Sequence, residues 1–225
     1  IIPQQNYIDY ASLALGVTTI HDPSNDTREI FAASEMQKTG AIVGPRIFST
    51  GTILYGAYGA GYTSHVDTVE DAKFHLERLK KVGAFSVKSY NQPRRNQRQQ
   101  IIEAARELNM MVVPEGGSLL QHNLTMAVDG HTTLEHSLPA AKLYDDVKQL
   151  RQASGSAYTP TMVVANGGVW GENYWYDKTE VWKHPRLSKY VPMDILGPRS
   201  MRRPTVPDHH YNHFHIAKAA KELND

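Results

Sequence analysis

Short runs of β-branched and apolar residues alternate along the chain with stretches of helical periodicity. Six runs predict strands: Gly16–His21, Pro45–Thr50, Phe85–Tyr90, Met110–Glu115, Thr132–His136 and Thr159–Ala165, each bounded by Gly, Pro or Asn. Between and after them the spacing predicts helices over Thr27–Lys38, Thr68–Val82, Arg94–Leu108, Leu119–Val128, Ala140–Ala153 and His209–Leu223. The first of these follows Ser24, Asn25 and Asp26, side chains suited to capping. The second carries Val69, Ala72, Phe74, Leu76, Leu79 and Val82 and stops at Gly83. Strand–helix alternation argues for a parallel sheet clothed by helices, and near-continuous apolar strands fit burial on both faces.

Strand centres recur about every 29 residues, so eight units would need roughly 230, close to the ~250 of a (β/α)8 barrel. Six units precede an irregular tail. The competing doubly wound sheet lacks its glycine fingerprint, because Gly56–Gly61 (GAYGAG) fits no nucleotide-binding pattern and reads as a flexible loop. The predicted fold class is therefore α/β, a partial (β/α)8 TIM barrel, with residues 1–225 forming a single incomplete domain. Residues 166–208 break the rhythm and hold all three tryptophans, Trp170, Trp175 and Trp182, with Tyr174, Tyr176 and Tyr190 among glycines and prolines. This segment reads as a long aromatic loop or flap, packed over the barrel mouth or touching substrate.

Composition narrows the function classes. At 225 residues the chain can bury a core without disulfides, and 40% hydrophobic with 21% charged residues argues against disorder. Twenty-four Lys and Arg against 23 Asp and Glu give a net charge of +1, which excludes nucleic-acid or membrane-surface binding driven by bulk charge. No apolar run reaches the roughly 18 residues of a membrane span. There are no cysteines, so metal chemistry has to use His, carboxylate or modified Lys, and His is abundant at 11. The first residue is Ile with no leader pattern after it, so the sequence reads as a mature product or a piece of a longer polypeptide.

In a parallel barrel the chemistry sits at strand C-terminal ends and the loops beyond them. Here the strands end in His21-Asp22, Lys88-Ser89-Tyr90, Glu115-Gly116-Gly117 and Glu135-His136. Burying ionisable groups costs several kcal/mol each, on the order of what a purely structural strand end avoids. Lys88, alternating with Val87 and Ser89, points to one of three states: a salt bridge to Glu115, a Schiff-base or general-base lysine, or a CO2-carbamylated lysine able to bridge metal ions. Glu115 lies between Pro114 and two glycines that permit close approach of a ligand, and a carboxylate there suits a hard or borderline cation. His136 closes a strand and is a candidate ligand. His131 reads as structural or as a support to the site. The histidines at 209, 210, 213 and 215 read as part of a helix start rather than a ligand set. Arg94-Arg95 and Arg202-Arg203 read as solvated runs, with capture of a substrate carboxylate as the alternative.

These motifs carry a family resemblance. GVTTIHD, VGPRIFSTG, VKSY and TTLEH resemble the amidohydrolase superfamily, in its imidazolonepropionase-like and prolidase-like branch. VKSYNQPRR, VVPEGGS, DGHTTLEHSLP and YTPTMVVANGGVWGENYWY are similar to the subgroup fused to a Tol-type β-propeller. The resemblance implies a metal-dependent hydrolase barrel, with the visible strands as barrel strands 2 to 7. It implies one or two divalent ions, zinc being expected, with Lys88 (carbamylated), Glu115 and His136 as ligands. Glu115 stands where the family normally has histidine. The family's strand-1 His-x-His pair and its general-base Asp on strand 8 have no match here. The implied reaction is hydrolysis of an amide, cyclic amide or peptide-like C–N bond, the ion acidifying water and polarising the carbonyl. Tyr90, His131, Trp170 and Tyr174 are the expected substrate contacts. A β-propeller in the parent polypeptide would go with a periplasmic or secreted location, and its absence with a cytoplasmic one. Unpaired edges of an incomplete barrel favour partner segments or homo-oligomers. The alternatives are a binding module without catalysis and an aldolase-type lyase with Lys88 as Schiff base.

Overall fold

The computed structural model describes residues 7–59, 61–140, 142–161, 171–203 and 213–224. After a leading helix α1 (Tyr7–Ala14), strands and helices alternate as β1 (Thr19–Asp22), α2 (Thr27–Lys38) and β2 (Arg46–Ser49). Two short strands follow, β3 (Ile53–Tyr55) and β4 (Thr63–His65). Then come α3 (Val69–Lys81), β5 (Ser86–Ser89), α4 (Arg95–Glu107), β6 (Met111–Pro114), α5 (Leu120–Asp129), β7 (Thr133–Glu135), α6 (Asp145–Ser154) and β8 (Ala157–Thr159). The remaining helices are α7 (Gly171–Lys178), α8 (Pro185–Tyr190), α9 (Met193–Leu196) and α10 (His213–Asn224).

Every described ladder is parallel: β1 with β2, β4–β3–β5–β6 in that order, and β7 with β8. Side chains and loop amides join the ladders. His21 Nε2 lies 2.8 Å from Ser86 Oγ, linking β1 to β5. The Phe48 and Phe85 rings meet edge to face at 5.6 Å. Thr132 N donates to Val112 O at 3.0 Å, joining β6 to the start of β7. The result is the wall of a partial (β/α)8 barrel.

Strand alternation separates the two faces of that wall. Ile20 and Ile47 pack with Ile30 and Ala33 of α2; Val87 and Val112 pack with Leu76, Leu79, Ile101 and Ala105 of α3 and α4; Leu134 packs with Met126 and Ala127 of α5. The neighbouring positions, His21, Phe48, Lys88 and Glu135, consequently face the other way, into the barrel. Phe48 remains 37% exposed and Met111 38%, so the inner face is incompletely filled by the described residues.

The helices begin and end where local chemistry dictates. The Asp26 carboxylate accepts from Arg28 N at 2.9 Å and Glu29 N at 3.2 Å, capping α2. Thr68 and Asp71 form a reciprocal capping box on α3. Gly130 closes α5 with φ 106° and Gly155 closes α6 with φ 64°, a region that suits glycine. Asp129, at the end of α5, accepts from Arg95 at 2.7 Å and Arg98 at 2.6 Å, tying α5 to α4. Arg95 is thus engaged in a helix–helix ion pair rather than free to take a substrate carboxylate.

The described residues of Gly56–Gly61 form the expected loop, but it connects two strands, β3 and β4, that the sequence pattern did not predict. Three-residue strands carry too little alternation to be read from sequence. One expectation is corrected. The described part of 166–208 is a run of short helices rather than extended loop. Pro185 opens α8, with the His184 side chain accepting from Leu187 N, and Pro198 opens a 3-10 turn. Prolines read as breakers are helix starts here. Arg202 donates to Tyr176 O and Asp177 O at 2.6 Å, and Arg203 lies over the Tyr176 ring, fastening these helices to one another. His209 and His210 lie outside the described residues, as does Met162–Ala165 of the sixth expected strand.

His131 precedes β7 at its N-terminal end, 3% exposed, with Nδ1 3.0 Å from Met126 O. Burial lowers its pKa from 6.5 to about 4. The folded state therefore keeps it neutral while the unfolded chain protonates. Its contribution to stability is complete above pH about 6.5 and is lost as pH falls through about 4, a total of about 3 kcal/mol. Urea unfolding of wild type and His131→Asn at pH 7.5 and pH 4.5 should show the wild type losing the larger share of its stability on acidification. Equal losses would contradict the assignment.

Candidate functional site

Three side chains predicted from separate strand ends meet at the C-terminal rim. Lys88 is 2% exposed, an ammonium that burial would penalise heavily unless compensated. Its Nζ lies 2.7 Å from Glu115 Oε2 and donates to Pro114 O at 2.8 Å. The register explains the encounter: Lys88 is opposite Val113 and Ser89 opposite Pro114, so Glu115, one residue beyond β6, swings back over the Lys88 end. The other Glu115 oxygen accepts from His136 Nε2 at 2.5 Å. His136 Nδ1 is 2.7 Å from Thr161 Oγ1. Since the carboxylate can only accept, Nε2 carries the proton, and in the neutral ring Nδ1 takes the Thr161 hydroxyl hydrogen.

The backbone is shaped to hold this chain of contacts. A Cβ on Gly116 would stand 1.9 Å from Glu135 O, so only glycine lets β6 and β7 close to this distance. Asn123, buried in α5, accepts from Gly117 N and donates to Gly117 O, both at 2.8 Å, clamping the turn that carries Glu115. His136 adopts φ 65°, a left-handed conformation that costs energy for a side chain with a Cβ. Its amide still donates to Thr159 O at 3.0 Å, which fixes the strained residue.

Electrostatics agree with the geometry. Burial pushes the Glu115 pKa up, but the Lys88 ammonium and His136 outweigh it and hold the carboxyl below its usual range. His21, absent from the predicted ligand set, also senses this region. Burial lowers its pKa, Glu135 and Asp22 pull it back up, and Lys88 pushes it down. The signal for His21 was present in the sequence, since His21-Asp22 ends β1 as Lys88, Glu115 and His136 mark their own strand ends. Its bond to Ser86 was not legible, because it depends on which strands are neighbours.

The other expected site residues are dispersed. Tyr90 follows β5 on the same rim, its ring edge to face with Tyr55 at 5.7 Å. His131 is at the opposite end of β7 from His136, buried against backbone, which corrects its expected place among substrate contacts. Tyr174 is in α7, its ring 5.2 Å from Trp175. Trp170 lies outside the described residues. Among the described residues no group of three or more His, Asp or Glu side chains is placed to hold a metal ion. Glu115 and His136 are two ligand-type side chains in direct contact with each other; Lys88 could join them only as a carbamate, since its ammonium repels a cation. The donor set fits an ion in part.

No protein-family model and no curated protein matches the sequence. The fold is shared with solved structures. A putative prolidase from Bifidobacterium longum aligns with a TM-score of 0.61 at 19% identity, over 98% of this chain and 53% of that one. A prolidase complexed with N-methylphosphonate-L-proline gives 0.60 at 17% identity, over 96% and 54%. Bottromycin amidohydrolase gives 0.60 at 14% identity, over 96% and 51%. The chain spans about half the length of the structures it matches. The fold is that of amidohydrolase and prolidase barrels, in agreement with the resemblance read from VKSY and TTLEH.

Gly116→Ala should lower the unfolding free energy by about 1–3 kcal/mol through overpacking against Glu135 O. Gly83→Ala is strained by its φ of 102° but meets no atom within 4 Å, and serves as the comparison. In chemical denaturation Gly116→Ala should be the more damaging; a smaller effect at Gly116 would contradict the close approach.

Proposed function

We propose that this chain belongs to a metal-dependent hydrolase acting on an amide, cyclic amide or peptide-like C–N bond. The observation that carries this reading is the contact chain Lys88–Glu115–His136, three ionisable groups from successive strands at the C-terminal rim of parallel strands. The likeness in fold to prolidase and amidohydrolase structures supports it.

Glu115 and His136 would hold a divalent ion, zinc being the expected one, with Lys88 joining as a carbamate. Such an ion supplies Lewis-acid polarisation of the scissile carbonyl and acidifies water beside it. Conversion of Lys88 adds CO2 to its neutral amine and releases a proton, so the ammonium must first leave its pair with Glu115. The left-handed backbone of His136 and the Thr161 contact hold the imidazole in orientation, and the Asn123 clamp does the same for Glu115 through its turn. Tyr90, beside these groups on the rim, is a substrate contact in this reading. The net reaction consumes one water and yields a carboxylic acid and an amine. A Schiff-base role would require the same release of Lys88 from Glu115 and Pro114 O, and borohydride trapping with a carbonyl substrate would distinguish it, since a carbamate gives no adduct.

The test uses the full-length polypeptide that carries this segment. Elemental analysis should find one or two divalent ions per chain. Hydrolysis of Xaa-Pro dipeptides or N-acyl amino acids should stop with chelator and return with zinc. His136→Ala should lose both bound ion and at least about 100-fold in activity. A metal-free protein whose activity ignores chelators would overturn the proposal.

A further inference from the structure

The two strands that the sequence left unread border an open cleft of about 550 Å3. Ser24, Ile53, Tyr55, Tyr62, Thr63 and Tyr90 line it, together with two glycines of the β3–β4 connection. None of its lining residues is charged. The volume is in the range of small-ligand sites, roughly 300–1,000 Å3.

Its position links it to the rim already described. Ser24 lies two residues beyond β1 and Tyr90 directly follows β5. Leu54 of β3 is paired with Ser89, the last residue of β5 and the neighbour of Lys88. The cavity therefore lies at the same end of the strands as Lys88, Glu115 and His136.

The wall is held in advance by two buried amides. Gln92 Nε2 donates to Leu54 O at 2.8 Å while its oxygen accepts from Gly56 N at 2.8 Å. Gln97, 0% exposed, donates to Gly56 O at 2.7 Å. A Cβ on Gly56 would come within 2.1 Å of Gln97 Cδ, so the amide lies flat against the glycine. Two buried side chains spent on one glycine fix where β3 ends and where Tyr55 projects. Tyr55 and Tyr90 stand edge to face, and the Tyr62 and Tyr90 rings are partly exposed, leaving aromatic surface for a third ring.

We infer that this tyrosine-lined cavity is the specificity pocket for a planar aromatic side chain on an acylated amino acid or peptide, and that it rejects charged side chains. The identity of the substrate class rests on the hydrolase reading; binding in the pocket does not. Calorimetric titration of the full-length polypeptide in the presence of chelator would separate the two. N-acetyl-L-phenylalanine amide should bind about tenfold tighter than N-acetyl-L-alanine amide, with N-acetyl-L-lysine amide weakest. Tyr62→Ala and Tyr55→Ala should each bring the phenylalanine probe close to the alanine one, and Tyr62→Phe should retain the preference. Because Tyr62 is at the surface, its variants test the pocket even if Tyr55→Ala fails to fold. Equal affinity for the three probes, or an aromatic preference unaffected by Tyr62→Ala, would overturn the inference. Loss of the proposed hydrolysis with intact aromatic binding would count against the hydrolase reading alone.

Discussion

A buried ammonium is the constraint around which this structure is organised. Lys88 is enclosed inside a wall of parallel strands, where an uncompensated charge would cost several kcal/mol, on the order of a domain's whole margin of stability. Glu115 compensates it, Pro114 O accepts a second hydrogen bond from it, and His136 donates to the remaining carboxylate oxygen. The features that look costly nearby, a left-handed histidine and a glycine, Gly116, pressed against the Glu135 backbone, are what bring these partners into register. The site and the local fold are therefore one problem in packing.

The helices make that packing possible from the other side. Val87 and Val112 press outward onto Leu76, Leu79 and Ile101, so the residues between them have to turn inward. At β5 the inward positions are enclosed, and the two-residue period of a strand sends Ser86 and Lys88 to them together. Inside the wall, Ser86 meets His21 from β1, while Glu135 and Lys88 act on the same imidazole from two other strands. Polar groups thus continue below the rim.

Much of this was legible in the residues. Thr27–Lys38 was bounded correctly because Asp26 supplies a cap and the apolar positions keep helical spacing. That Lys88, Glu115 and His136 come together was legible because an ionisable residue at the end of an apolar strand is informative by itself, and the salt bridge was one of the states open to Lys88. β3 and β4 escaped because three residues show no period, and their anchors, Gln92 and Gln97, are distant in sequence. The helices of 171–200 escaped because proline and glycine counted as breakers. His131 was legible as a structural residue, since it precedes the strand that His136 closes; its inclusion among substrate contacts is what its burial against Met126 O overturns. The Arg95–Asp129 pair depended on the packing of α4 against α5, which no local pattern encodes.

The account depends on Lys88 and Glu115 being energetically coupled, and a double-mutant cycle measures that coupling directly. Lys88→Met, Glu115→Leu and the double variant would be compared with wild type by denaturant unfolding. Each single change strands a buried charge and should cost about 3–5 kcal/mol, whereas the double variant should recover at least about 2 kcal/mol of their sum. Costs that add to within about 0.5 kcal/mol would show the two groups to be independent and contradict the account.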